Sequence, residues 1–216
     1  EGLPAVVSLA LAAGLWRLSR RGALVRRLAA VETLGSTTVI CADKTGTMTE
    51  NQMTVTSLRF GGRRVTVGGG GRSTAGSFTD EPAGVVAPLV DPHLTLLLTA
   101  AALCNDAGLR AAPDGLHLHG DPTESALLVA AVKAGLDPAE LARAWPRGRE
   151  IPFDPASRMM ATFHMMPGHV MPGAGAVLLV KGAPSVILER ATHHHTPAGP
   201  VALTQEDRAR LLGEGT

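Results

Sequence analysis

An apolar run that ends abruptly in a polar turn limits most sharply what this chain can fold into. Thr38-Val39-Ile40-Cys41-Ala42 leads directly into Asp43-Lys44-Thr45-Gly46-Thr47-Met48-Thr49. A short, β-branched-rich segment bounded by a Gly-containing turn reads as a buried parallel strand whose carboxyl end opens into a loop. In open α/β sheets ligands bind at that end. Asp43 therefore presents a carboxylate where a ligand is expected, and a carboxylate can attack phosphorus to form an acyl phosphate. Lys44 can add positive charge, the Gly46 backbone can approach phosphate oxygens closely, and the Thr47 hydroxyl can donate a hydrogen bond.

With 216 residues, of which 45% are hydrophobic, the chain has room for one or two domains and a sizeable core. Aromatic residues make up 3% and Tyr is absent, so each Phe is a rare stacking candidate. A net charge of +1 gives no global attraction to nucleic acid or membrane, and any electrostatic role must be local. One local cluster stands out: Arg17, Arg20, Arg21, Arg26 and Arg27. Cys41 and Cys104 lack metal-ligand spacing and fit a reducing, cytoplasmic setting better than a disulfide framework.

Residues 3 to 16 form an apolar run, shorter than the roughly 20 residues that span a bilayer. Its positive charges follow it rather than precede it, unlike a signal peptide. The run reads as the cytoplasmic end of a transmembrane helix, with Trp16 at the interface and the arginines inside, rather than as a buried core helix. Residues 17–35 have the composition of a helical stalk leaving the membrane. Nucleic-acid binding by the arginines is not expected.

Further on, Met53 to Phe60 and Arg64 to Val67 read as strands joined by a Gly61-Gly62 hairpin turn. Residues 68–88 read as a glycine-rich loop without chemistry. Helices are expected at 91–106, 122–135 and 185–191, and from Thr204 onward, where Asp207 supports Thr204 as an N-cap. Pro152 to Met166 and Ala176 to Val180 read as strands of an antiparallel sheet, separated by a Gly/Pro turn at 167–175. No element follows the last helix, so both ends of the chain are expected to be cuts within a longer protein. The His193-His194-His195 run reads as a polar loop, in which adjacent histidines cannot all face one metal ion. The methionines Met159, Met160, Met165 and Met166 read as core or strand-face residues.

The Asp43–Thr49 heptapeptide resembles the phosphorylation motif of the P-type cation-transporting ATPases. The resemblance implies the haloacid dehalogenase-like α/β fold for the phosphorylation domain, with an inserted α+β nucleotide-binding domain. Residues 1–16 would end a transmembrane helix, 17–35 form the stalk, 36–50 begin the phosphorylation domain and 51–216 belong to the nucleotide-binding domain. It further implies that Asp43 and the Thr45 main-chain carbonyl help hold Mg²⁺. In related haloacid dehalogenase-type phosphatases an Asp two positions after the nucleophile promotes hydrolysis. Here that position is Thr45, which favours a long-lived acyl phosphate coupled to transport over a simple phosphatase.

Three further segments carry the resemblance. Gly120-Asp121-Pro122-Thr123-Glu124-Ser125-Ala126-Leu127 is similar to the family's Gly-Asp-x-x-Glu-x-Ala-Leu, implying that Glu124 contacts the adenosine part of ATP. The same residues also make a good helix start, with Asp121 as N-cap and Pro122 at the first position. Phe153 takes the place of the adenine-stacking Phe, and Arg158 stands where Lys is usual, a charge-conserving but not shape-conserving change. Pro155 removes an expected basic contact. Lys181-Gly182-Ala183-Pro184 resembles the family's Lys-Gly-Ala-Pro, placing Lys181 and Gly182 at the nucleotide. Cys104-Asn105-Asp106 is family-like and reads as structural.

Glu1-Gly2-Leu3-Pro4 is similar to the calcium-type branch, in which Glu1 would ligate the transported cation. Ca²⁺ is the first expectation, ahead of Mn²⁺, Mg²⁺ or the alkali cations. The implied parent is a multi-pass protein of the plasma or inner membrane with residues 17–216 cytoplasmic, an ATP-driven cation pump. Its later Mg²⁺-binding segments are not in this sequence, so nucleotide binding with weak or no turnover is expected of the chain alone. A non-catalytic nucleotide-binding module and a haloacid dehalogenase-type phosphatase are the alternatives.

Overall fold

The computed structural model describes residues 2–71, 73–81, 83–112, 115–166, 175–196 and 198–213. The Turn 167–175 expected from the sequence lies almost wholly outside them, as does Glu1. The chain divides into two compact units, Glu1–Glu50 and Asn51–Thr216.

In the first unit, helix α1 (Leu3–Arg20) starts with Pro in its first turn and ends with Arg17 and Arg20 in its last. Both choices suit a helix: Pro lacks a hydrogen that would be unpaired there, and the arginines complement the negative end of the dipole. The Arg20 guanidinium lies 5.0 Å from the Trp16 ring centroid. Among the described residues no helix is long and apolar enough to cross a membrane.

The helical stalk expected over 17–35 is interrupted. At Gly22 φ is +79°, and the N–H groups of Gly22 and Ala23 turn back to the carbonyls of Ser19 and Leu18. This left-handed close ends α1, and helix resumes only at α2 (Ala29–Gly35).

The strand expected at Thr38–Ala42 is a second correction. The segment belongs to no helix or ladder, and Ile40 is 84% exposed. A strand is held by its neighbours' hydrogen bonds, and among the described residues none pairs with this segment.

The second unit is α/β, and its described ladders are all antiparallel. A four-stranded sheet runs in the order β1 (Ser57–Phe60), β2 (Arg63–Val67), β3 (Phe78–Asp80), β4 (Gly84–Val85). The Gly61-Gly62 turn joins β1 to β2, pairing Phe60 with Arg63. Residues 53–56, expected in the first strand, precede the ladder.

Residues 68–88 do not form the simple loop expected. They contain β3 and β4, and Phe78 is buried at 2% exposure. The glycine-rich composition hid a three-residue strand too short to show alternation.

Helix α3 (Pro92–Leu103) packs with α4 (Pro122–Lys133) and the short α5 (Pro138–Ala144). Val65, Val67 and Phe78 from the sheet meet Leu94 and Leu98 of α3 and Ala130 and Ala131 of α4 in one buried cluster. The small alanines let the helices approach closely, while the aliphatic and aromatic side chains supply most of the buried apolar area. Asp91, Asp121 and Asp137 each cap a helix by accepting two N–H bonds from the first turn.

Between α3 and α4 runs a hairpin, β5 (Gly108–Ala112) with β6 (Gly115–His119). The three-stranded sheet follows, in the order β7 (Arg147–Asp154), β8 (Met159–Met165), β9 (Ala176–Gly182). The segment expected as one strand from Pro152 to Met166 is thus two strands with a turn at 155–158. Helix α6 (Pro184–Arg190), hairpin β10 (His193–Thr196) with β11 (Gly199–Ala202), and α7 (Gln205–Gly213) complete the unit. The histidine run is therefore a strand, not the expected loop: His193 pairs with Ala202 and His195 with Pro200.

Candidate nucleotide site

The first turn of α4, the last residues of β9 and the β7–β8 turn meet around one pocket of about 640 Å³. Its wall includes Glu124, Phe153, Arg158, Met160, Lys181 and Gly182. That volume is within the range of small-molecule sites.

Asp121 sets the position of Glu124. Its carboxylate accepts from the Thr123 and Glu124 N–H groups at 2.8 and 3.3 Å. Burial pushes the Asp121 carboxyl up. The hydrogen bonds from Thr123 and Glu124 and the charge of Lys181 outweigh burial and hold it below its ordinary value. Pro122 follows at the first helical position, so Glu124 lies in the first turn, where the helix dipole favours negative charge.

Lys181 reaches the pocket through strand alternation. Val177, Leu179 and Lys181 share the more covered face of β9, and Met160 stands opposite Lys181 in the ladder. The Lys181 ammonium pairs with Glu124 Oε1. The other carboxylate oxygen, Oε2, accepts the Asp106 N–H at 3.3 Å. Both side chains of the pair are largely covered, at 23% and 15% exposure, so its electrostatics are less screened than those of a surface pair.

Behind them Asn105 ties two helices together. Its side-chain amide donates to the Glu124 carbonyl at 2.8 Å and to the Ala101 carbonyl at 3.2 Å, while its Oδ1 accepts the Ala107 N–H at 2.8 Å. Arg147 of β7 binds the Asp106 carboxylate at 2.7 Å. Asp106 is thus held on the pocket wall from outside, and its N–H is aimed at Glu124.

The β7–β8 turn supplies the opposite wall. Asp154 accepts N–H bonds from Ala156 and Ser157, which hold its carboxyl below the ordinary value. The Arg158 N–H closes the turn on the Asp154 carbonyl at 2.7 Å, and Arg158 takes φ +52°. Phe153, just before the turn, is 58% exposed. An aromatic ring left open beside charged groups is available to stack on a planar ligand. At Gly182 an added Cβ would lie 2.5 Å from the Arg158 carbonyl oxygen, so the close approach of these two backbones requires glycine.

The structure therefore brings together Glu124, Phe153, Arg158, Lys181 and Gly182, which the sequence places up to 58 positions apart, from Glu124 to Gly182. Asp106 and Arg147 were not singled out for this pocket. Arg147 lies in no local pattern that marks it, and only the fold brings it to Asp106.

In the first unit Asp43, Lys44, Thr45 and Thr47 are exposed. Asp43 is extended, with φ −71° and ψ 149°, and the chain then makes a tight turn in which Gly46 takes φ +77°. Thr49 closes it: its N–H donates to the Lys44 carbonyl at 3.1 Å and its hydroxyl accepts the Gly46 N–H at 3.4 Å. Glu1 lies outside the described residues.

Residues 93–214 match the family model of the P-type ATPase cytoplasmic domain N. The chain is 45% identical over 194 residues to a cation-transporting ATPase, pma1, of Synechocystis, covering 88% of this chain and 21% of that protein. It is 42% identical over 212 residues to the probable cation-transporting ATPase F of Mycobacterium tuberculosis, covering 98% of this chain and 22% of that protein. With a calcium-transporting ATPase of Bacillus subtilis it shares 37% identity over 211 residues, 97% of this chain and 23% of that protein. The chain thus spans about a fifth of the length of the curated relatives it matches. On a domain match that covers more than half of its residues, this chain belongs to the P-type ATPase family.

Proposed function

We propose that the chain is the part of an ATP-driven cation pump that binds the nucleotide and carries the aspartate to be phosphorylated. The convergence of Phe153, Glu124, Arg158, Lys181 and Gly182 on one pocket is the observation that supports this reading. Phe153 stacks on the adenine ring, Glu124 and Lys181 contact the adenosine portion, and Arg158 supplies positive charge toward the phosphates. Gly182 keeps the strand end low enough for the turn and ligand to approach.

Asp43 is the nucleophile. A carboxylate oxygen attacks the γ-phosphorus, the bond to the β,γ-bridging oxygen breaks, and ADP leaves, so the chain holds an acyl phosphate. Lys44 and Thr47 stabilise the transferred group by charge and hydrogen bonding. A carboxylate and the Thr45 main-chain carbonyl are hard oxygen donors, the set that suits Mg²⁺. When bound, Mg²⁺ neutralises phosphate charge. Thr45 provides no carboxylate to activate water, so the acyl phosphate persists for coupling to transport.

The transported cation is Ca²⁺ in this reading, supported by the similarity to a calcium-transporting ATPase of Bacillus subtilis and by Glu1 in its Glu-Gly-Leu-Pro context. Residues 1–16 meet the lipid bilayer of a plasma or inner membrane, 17–35 form the stalk and 36–50 begin a haloacid dehalogenase-like phosphorylation domain. The nucleotide domain, 51–216, faces the cytoplasm.

Calorimetric titration of the chain with ATP tests the pocket, with saturable binding expected and its absence refuting the assignment. In the full pump, a hydroxylamine-labile ³²P label from [γ-³²P]ATP that disappears in Asp43→Asn is expected. A label that survives that substitution excludes Asp43 as the acceptor.

A further inference from the structure

The histidine run takes a partner that its own sequence does not contain. His93, in the first turn of α3, and His195, in β10, bring their Nδ1 atoms to 3.0 Å although they lie 102 residues apart. The ring centroids are 4.7 Å apart and the planes are inclined at 62°. Two imidazole nitrogens facing each other at this distance repel through their lone pairs unless something positive lies between them. A proton on one Nδ1 serves in the metal-free pair. A metal cation serves equally, with both rings neutral and carrying their hydrogens on Nε2.

The separation fits one ion shared between the two nitrogens. Two nitrogens about 2.1 Å from a metal stand about 3.0 Å apart at a 90° angle and about 3.4 Å apart at a tetrahedral one. The observed 3.0 Å matches the right-angled case, the cis edge of the tetragonal or square-planar sites taken by Ni²⁺ and Cu²⁺. His195 is exposed and His93 half-buried, so small ring rotations can aim the lone pairs and water can complete the coordination.

Adjacent histidines do not compete for the same position. His194 points to the opposite face of β10 from His195, as strand alternation requires, and His193 turns its Nδ1 to the Thr192 hydroxyl at 3.0 Å. The α3 end of the pair is well anchored, because Asp91 accepts the His93 N–H at 3.0 Å and is itself bound by Arg63.

We propose that His93 and His195 form a two-histidine site for a borderline transition-metal ion of the Ni²⁺ or Cu²⁺ class, which clips the β10–β11 hairpin to the start of α3. A ligand that binds only the folded pair stabilises the fold in proportion to its occupancy. The site gives the domain a cross-link between two elements far apart in sequence.

Calorimetric titration of the tag-free chain with NiCl₂, paired with thermal unfolding with and without Ni²⁺, decides the matter. One equivalent is expected to bind and to raise the melting temperature. His93→Ala and His195→Ala should each weaken binding by about tenfold or more, as loss of one of two ligands requires, and abolish the thermal shift. His194→Ala should leave both unchanged. Far-UV circular dichroism checks that His93→Ala is folded; the Asp91 cap binds the backbone at that position, and His93→Gln provides a second variant. Overturning results are no Ni²⁺ binding, or binding that survives both His93 substitutions, which would assign the metal to the histidine run alone.

Discussion

The carbonyl oxygen of Arg158 lies where a side chain at position 182 would begin: a Cβ built on Gly182 falls 2.5 Å from it. The same carbonyl accepts the Ala183 N–H at 3.0 Å, so it cannot move away without losing that bond. The end of β9 and the β7–β8 turn are therefore locked together at the pocket, and three consequences of the pocket's construction can be measured alongside one of a helix cap.

Gly182→Ala should cost about 1–3 kcal/mol by overpacking and displace the Arg158 turn. Chemical denaturation measures the first, and weaker ATP binding reports the second. A fully stable Gly182→Ala chain with unaltered affinity would contradict the close approach.

Phe153→Ala should behave in the opposite way. The ring is exposed, so stability should change by less than about 0.5 kcal/mol. Loss of stacking should weaken ATP by about 1–3 kcal/mol, roughly 5- to 150-fold in Kd. Parallel titration and unfolding of this variant separate a ligand platform from a packing residue.

Asn105→Ala removes the amide that holds the Glu124 carbonyl and leaves three backbone groups, the Ala101 and Glu124 carbonyls and the Ala107 N–H, without their side-chain partner. A loss of about 1–3 kcal/mol is expected, together with reduced ATP affinity because Glu124 and the Asp106 N–H lose their common support. Asn105→Asp keeps the Oδ1 acceptor for Ala107 but places an oxygen against two carbonyls, and should restore neither property.

Asp91 gives a pH signature. Burial pushes its carboxyl up, but N–H bonds from Leu94 and His93 and the Arg63 guanidinium outweigh it, leaving it below its ordinary 3.8. The unfolded chain binds the proton more tightly than the folded one, so the stabilisation is complete above about pH 4 and is lost as pH falls through the lowered folded value. Asp91→Asn keeps a helix cap but removes the charge, and should flatten the fall in stability below pH 4. Asp91→Ala removes both and should cost about 1–2 kcal/mol at neutral pH. Acid titration monitored by circular dichroism distinguishes the two.

Much of the second unit was legible because its signals are local. Asp121 announces a helix start within a few residues, since a cap needs only the N–H groups of the following turn. Short motifs singled out Phe153, Lys181 and Gly182, which line one pocket in the fold. The stretch 68–88 misled because β3 and β4 are too short to show a period and are held by the neighbouring β2 ladder. The segment 38–42 misled for the converse reason: its β-branched composition is real, but among the described residues no neighbour gives it a ladder.

By itself the sequence determined which chemical groups this protein carries and where many of its helices begin, because those features depend on residue identity and on contacts a few positions away. Tertiary structure decided which groups act together. The Lys181–Glu124 pair, the Arg147–Asp106 support and the His93–His195 contact join residues 57, 41 and 102 positions apart. Such pairings depend on strand register and helix packing over the whole unit, and no local spacing contains them.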